Sequence, residues 1–134
     1  MKDRNIIELG NLFKNSSYGF QMGYAETHSS KSLVIKPSTI EECKEIIDYC
    51  NKENIKICCR GGGFSYGDMI LNTDELILDT SSMNNILSWR PDIGSISVEP
   101  GVSFASIFKL SLLDNWALTF PPNCFGILET VTPD

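Results

Sequence analysis

The sequence is poor in the features that most often announce a function. Basic residues are few, 11 against 17 acidic ones, and the net charge is -6. With no basic cluster to offset that balance, nucleic acid and anionic membranes are not expected partners. No apolar run approaches the length of a membrane span, and Met1-Lys2-Asp3-Arg4-Asn5 leads into no signal-type apolar core, so a cytoplasmic protein is expected. There is one histidine, His28, set in the polar run Glu26-Thr27-His28-Ser29-Ser30-Lys31 with no second ligand near it, and no metal site is expected. The cysteines at 43, 50, 58, 59 and 124 include no Cys-x-x-Cys pair and read as reduced, mostly buried thiols. Cys58 and Cys59 would point to opposite faces of a strand. No internal repeat, linker or low-complexity tract is present.

What the sequence does have is a glycine run. Arg60-Gly61-Gly62-Gly63-Phe64-Ser65-Tyr66-Gly67-Asp68 follows the apolar run 55–59, which reads as a buried strand. Three consecutive glycines remove every Cβ, admit positive φ and let successive backbone N–H groups point into one concavity. With Arg60 before it and the Ser65 hydroxyl after it, such a nest suits the oxygens of a phosphate or pyrophosphate. The competing explanation is a mobile glycine turn. No Gly-Lys-Ser/Thr follows, which excludes a P-loop. Tyr66 breaks the Rossmann fingerprint, and the segment 69–74 is too short and turn-like for the helix that fingerprint requires.

At 134 residues, 42% hydrophobic and 21% charged, the chain can build one modest domain. Ile6, Ile7, Leu9, Leu12 and Phe13 suggest at most a short helix before a turn-like Asn15-Ser16-Ser17-Tyr18-Gly19. A short strand over 33–36 ends at Pro37. Ser38 and Glu41 form a capping box, and Ile40, Cys43, Ile47 and Cys50 share one helical face. With the strand at 55–59 this makes a strand–helix–strand unit, whose strands are expected to be parallel. The glycine run then lies at a carboxyl end, where open α/β sheets bind ligands. A third strand is expected over 75–79, an antiparallel hairpin over 86–99, and a helix from Ser103 with Phe104, Ile107, Phe108 and Leu112 inward. Residues 116–120 read as extended, Pro121-Pro122-Asn123 as a turn or polyproline path, and the remainder shows no clear period.

In this order, a Ser-Thr-x-Glu-Glu helix, a strand ending in Arg-Gly-Gly-Gly-x-Ser, a Leu-Asp-Thr strand and Val98-Glu99-Pro100-Gly101-Val102, the sequence resembles the FAD-binding module of the vanillyl-alcohol oxidase or PCMH-type flavoenzymes. The resemblance implies an α+β fold, the type-4 FAD-binding N-terminal subdomain, with a small mixed or parallel sheet and flanking helices. It divides the chain into an N-terminal extension, 1–31, and a truncated FAD-binding domain, 32–134. The run from Gly63 to Asp68, with Leu71-Asn72 after it and Ser17-Tyr18-Gly19 before, looks most like the sugar-oxidising branch that includes decaprenylphosphoryl-ribose 2-oxidase.

By that resemblance Gly61, Gly62, Gly63, Phe64 and Ser65 cradle the FAD pyrophosphate, while Arg60, Tyr66, Gly67 and Asp68 shape or flank the loop. Many relatives carry a flavin-bonded histidine where Phe64 stands, so FAD is expected to be held non-covalently. Cys124 lacks the flanking pattern of relatives that bond flavin through cysteine, and reads as a plain loop residue. Relatives continue to a Thr-Val-Gly-Gly segment and a substrate cap, where this sequence has Thr130-Val131-Thr132-Pro133-Asp134. The expected activity is therefore that of the FAD-binding portion of an oxidoreductase acting on an alcohol or sugar by hydride transfer. No catalytic base can be assigned, since Asp68 fits a loop-capping role and His28 lies outside the matching region. The expected protein partner is the missing half of the enzyme or a second copy. Two alternatives stand beside this reading: an inactive truncated paralogue that binds a nucleotide or a protein, and an unrelated phosphate-binding module.

Overall fold

A computed structural model of the chain describes residues 2–24, 26–65, 68–119 and 129–131. They fall into two compact units, Met1–Met83 and Asn84–Asp134.

The first unit is built on a four-stranded sheet in the order β1-β2-β4-β3. β2 (Ser29–Ile35) and β3 (Ile57–Arg60) both run parallel to β4 (Leu76–Asp79), while β1 (Ser16–Met22) runs antiparallel to β2. The strands that flank the crossover helix are parallel as expected, and β4 lies between them. Helices α1 (Lys2–Leu12) and α2 (Ile40–Glu53) supply Ile6, Leu9, Ile46 and Cys50 to a core completed by Leu33, Ile35, Ile55, Leu76 and Leu78.

Three local expectations change. The segment expected to turn at residues 15–19 is the start of β1: it has no Pro, and its backbone pairs with β2 along the whole strand. The cap of α2 is shifted by one residue. Thr39 Oγ1 accepts from the Glu42 N–H at 3.1 Å, and the Glu42 carboxylate accepts from the Ser38 N–H at 2.6 Å and the Ser38 hydroxyl at 2.9 Å. These bonds, the Ser38 backbone N–H foremost, hold the Glu42 carboxyl below its usual range. The buried face of α2 is turned as well: Ile46 and Cys50 are buried whereas Ile40 and Ile47 are exposed. The cause is α1, which packs on the flank of α2, where Tyr49 Oη donates to Asn5 O and Asn5 Nδ2 donates to Glu53. That second neighbour draws the apolar stripe round to residues 46, 49 and 50.

Of the four described cysteines, all free, only Cys50 is fully buried, and burial pushes its thiol up to about 11. Cys43 and Cys58 are half-buried and Cys59 is exposed, fewer buried thiols than the sequence suggests: Cys43 lies off the buried stripe of α2, and Cys58 and Cys59 lie on β3, an edge strand with little cover. Cys124 lies outside the described residues.

In the second unit β5 (Ile86–Arg90) and β6 (Ser95–Val98) form the expected antiparallel hairpin, with Gly94 at φ 61 in its turn. Ser103 caps α3 (Phe104–Leu113). Its buried residues are Ile107 and Ser111, while Phe104, Phe108 and Leu112 are exposed, contrary to expectation. The buried positions are one helical turn apart, a stripe narrower than the four-residue face the sequence suggests. Two indoles tie this unit together: Trp89 Nε1 donates to Asp114 Oδ2 at 2.6 Å and Trp116 Nε1 to Pro91 O at 2.9 Å. β7 (Ala117–Thr119) pairs antiparallel with β8 (Glu129–Val131).

Candidate functional site

Three parallel strands end side by side at Ile35, Arg60 and Asp79. At this carboxyl edge the chain leaves β3 directly into the glycine run and returns as β4, the neighbouring parallel strand, without an intervening helix. The return half of this connection is firmly anchored. Asn72 Nδ2 donates to Lys56 O at 3.0 Å and Leu76 O at 2.9 Å, Asn72 O accepts from the Ser32 hydroxyl at 2.7 Å, and Ile70 is buried. Cys58 Sγ adds a bond to Met69 O at 2.9 Å.

The front half is open. Gly61 and Gly62 are exposed, and Gly63 adopts φ 79, a backbone that disfavours side chains. A Cβ on Gly62 would lie 2.9 Å from the Phe64 ring, and one on Gly63 would lie 3.0 Å from the Arg60 guanidinium. The glycines thus let both neighbours fold back against the loop backbone. Among the described residues, the backbone N–H groups of Gly62, Gly63, Phe64 and Ser65 have no intramolecular acceptor. Ser65 is exposed beside them. A row of exposed donors, a nearby guanidinium and missing Cβ atoms are what a pyrophosphate needs.

The other expected site residues divide. Asp68 is exposed, and its carbonyl closes a turn by accepting from the Leu71 N–H at 2.8 Å. Tyr66 and Gly67 lie outside the described residues. His28 is exposed, its Nδ1 bonded to Thr27 Oγ1 at 2.9 Å in the turn that joins β1 to β2.

Two residues beside the loop escaped the sequence reading. Gln21 Oε1 accepts from Arg60 Nη1 at 3.1 Å, and the Tyr24 ring meets Phe64 edge-on at 5.5 Å. The alternation Tyr18-x-Phe20-x-Met22-x-Tyr24, a strand period, is a signal that could have found Tyr24, whereas Gln21 falls between those positions and leaves no local signal. Asp79 also gains a role. It lies opposite Arg60 in register but binds Lys36 Nζ at 3.3 Å and the Ser81 N–H at 3.0 Å. Burial pushes its carboxyl up, yet the Ser81 bonds and the Lys36 ammonium outweigh burial and hold it below the usual carboxylate range.

Residues 31–130 match the family described as FAD binding domain. The chain is 32% identical over 73 residues to mitochondrial D-2-hydroxyglutarate dehydrogenase from Danio rerio, covering 54% of this chain and 14% of that protein. It is 30% identical over 80 residues to the flavoprotein subunit of 4-cresol dehydrogenase from Pseudomonas putida, covering 58% of this chain and 15% of that protein. Among solved structures, p-cresol methylhydroxylase with substrate bound superposes with a TM-score of 0.67 at 21% identity, over 89% of this chain and 26% of that one. The chain thus spans about a seventh of the length of the two relatives. The match over 31–130 makes this chain a member of the FAD binding domain family, and its mixed sheet with flanking helices is the PCMH-like fold.

Proposed function

We propose that the chain is the pyrophosphate-cradling portion of a flavin-dependent oxidoreductase that oxidises an alcohol or sugar, with residues 32–134 as the FAD-binding part. The observation that carries this reading is the open row of N–H donors at Gly62–Ser65, beside Arg60, at the carboxyl end of β3. Two dehydrogenases, named for D-2-hydroxyglutarate and 4-cresol, support the reaction class. The run Phe64-Ser65-Tyr66-Gly67-Asp68 supports the sugar-oxidising branch.

When bound, FAD supplies the acceptor for a hydride from a substrate C–H. The chain's own part is binding and orientation. Backbone N–H groups of Gly62, Gly63, Phe64 and Ser65 donate to pyrophosphate oxygens, the Ser65 hydroxyl adds one donor, and Arg60 supplies positive charge. Asp68, whose carbonyl accepts from the Leu71 N–H, shapes the turn that follows. Phe64 carries no nucleophile, so the flavin is bound without a covalent link at this position.

The test is an FAD titration that follows flavin fluorescence and melting temperature, with Gly62→Asp as the comparison. A ligand that binds only the folded chain raises stability by about 2.7 kcal/mol at a hundredfold excess over Kd. Saturable binding with a rising Tm is expected, and Gly62→Asp, which puts a side chain and a negative charge into the cradle, should abolish both. A folded chain that ignores FAD at high micromolar concentration refutes the proposal.

A further inference from the structure

The guanidinium of Arg60 is held in a particular way. On one side Nη1 donates to the amide oxygen of Gln21 at 3.1 Å. On the other, Nη2 and Nε approach the place where Gly63 has no side chain, 3.0 and 3.1 Å from a Cβ built there. The obvious carboxylate for Arg60 is Asp79, its register partner across β3 and β4, but that carboxylate is taken by Lys36 and Ser81. Among the described residues, Arg60 forms no ion pair. Its partner is a neutral amide, which fixes the direction of the guanidinium without cancelling its charge.

We infer that Gln21 is a positioning residue of the anion site: it aims Arg60 over the glycine loop and keeps its full positive charge available to a pyrophosphate-class ligand. The inference rests on the reading of Gly61–Ser65 as a pyrophosphate cradle. It assigns a role in that site to the β1–β2 hairpin, through a residue outside the 31–130 family match. Tyr24 packed edge-on against Phe64 is a second contact between the same hairpin and the same loop.

The experiment is the substitution Gln21→Glu, close to isosteric, which puts a carboxylate where the amide oxygen sits and turns the contact into an ion pair. Binding of FAD, ADP and inorganic pyrophosphate is measured at several salt concentrations, together with Tm. The expected result is a loss of about tenfold in affinity for all three probes, as one charge-assisted contact is withdrawn from the ligand. The salt dependence should weaken, because the variant loses the long-range pull of one cation. Tm should be unchanged or higher, since the new ion pair stabilises the fold. Gln21→Ala, which leaves the charge but frees the Arg60 side chain, should lose about threefold, the cost of ordering that side chain on binding. Affinity within twofold of the parent in Gln21→Glu, or a parallel fall in Tm and affinity, overturns the inference while leaving the cradle intact. If the parent chain binds none of the three probes, the cradle reading fails and the inference with it.

Discussion

Strands β1 and β4 belong to the same sheet and are treated in opposite ways. In β4 all four residues, Leu76 to Asp79, are buried, because β4 has a strand on each side and the core cluster takes in Leu76 and Leu78. In β1, a sheet edge, Tyr18, Phe20 and Met22 are half or more exposed, Phe20 by 77%. Each strand carries three large apolar side chains, yet one is the centre of the core and the other carries aromatic side chains in water. Position in the sheet, more than hydrophobicity, decides what each strand contributes: β4 gives stability, and β1, through Gln21, gives a contact to the site.

The sharpest way to widen that difference is Leu76→Ala. Leu76 is fully buried, and removing its branched end leaves a cavity in the middle of the sheet, so a loss of about 3 kcal/mol is expected in urea denaturation. The next effect lies at the end of β4. Asp79→Asn removes the anion that holds Lys36 and weakens the bond to Ser81, for an expected loss of about 1.5 kcal/mol at pH 7. Because the folded carboxyl is depressed, its contribution is present above the unfolded value of about 3.9 and is lost as pH falls through the folded one. Denaturation curves of parent and variant should therefore converge below about pH 4, and a constant gap down to pH 2 would exclude the ion pair as the cause. Smallest is Phe20→Lys, expected to change stability by less than about 0.5 kcal/mol despite replacing a large aromatic. A larger loss would mean that β1 is covered in solution.

The same contrast explains what could be read from the sequence. Leu76-Ile77-Leu78 is an apolar run bounded by polar residues, and its strand was legible because burial on both faces leaves a continuous signature. The glycine run was legible because three adjacent glycines have few structural uses. β1 was not, since Ser-Ser-Tyr-Gly is turn-like in composition and its order comes from pairing with β2, a tertiary cause. For the same reason Gln21 was invisible as a site residue: its partner is 39 positions away. The inward face of α2 was misplaced because α1, read as a marginal segment, turned out to be a packing neighbour.

The direct passage from β3 to β4 has one more consequence. Because the glycine run continues straight from the carboxyl end of β3, an anion that ties Gly62 to Ser65 also holds the end of that strand, and fraying of β3 from β4 must pull against it. Amide protons of the β3–β4 ladder thus become reporters of occupancy at a loop they do not touch. Ligand binding should slow their exchange with solvent, while those of the β5–β6 hairpin keep their native pace.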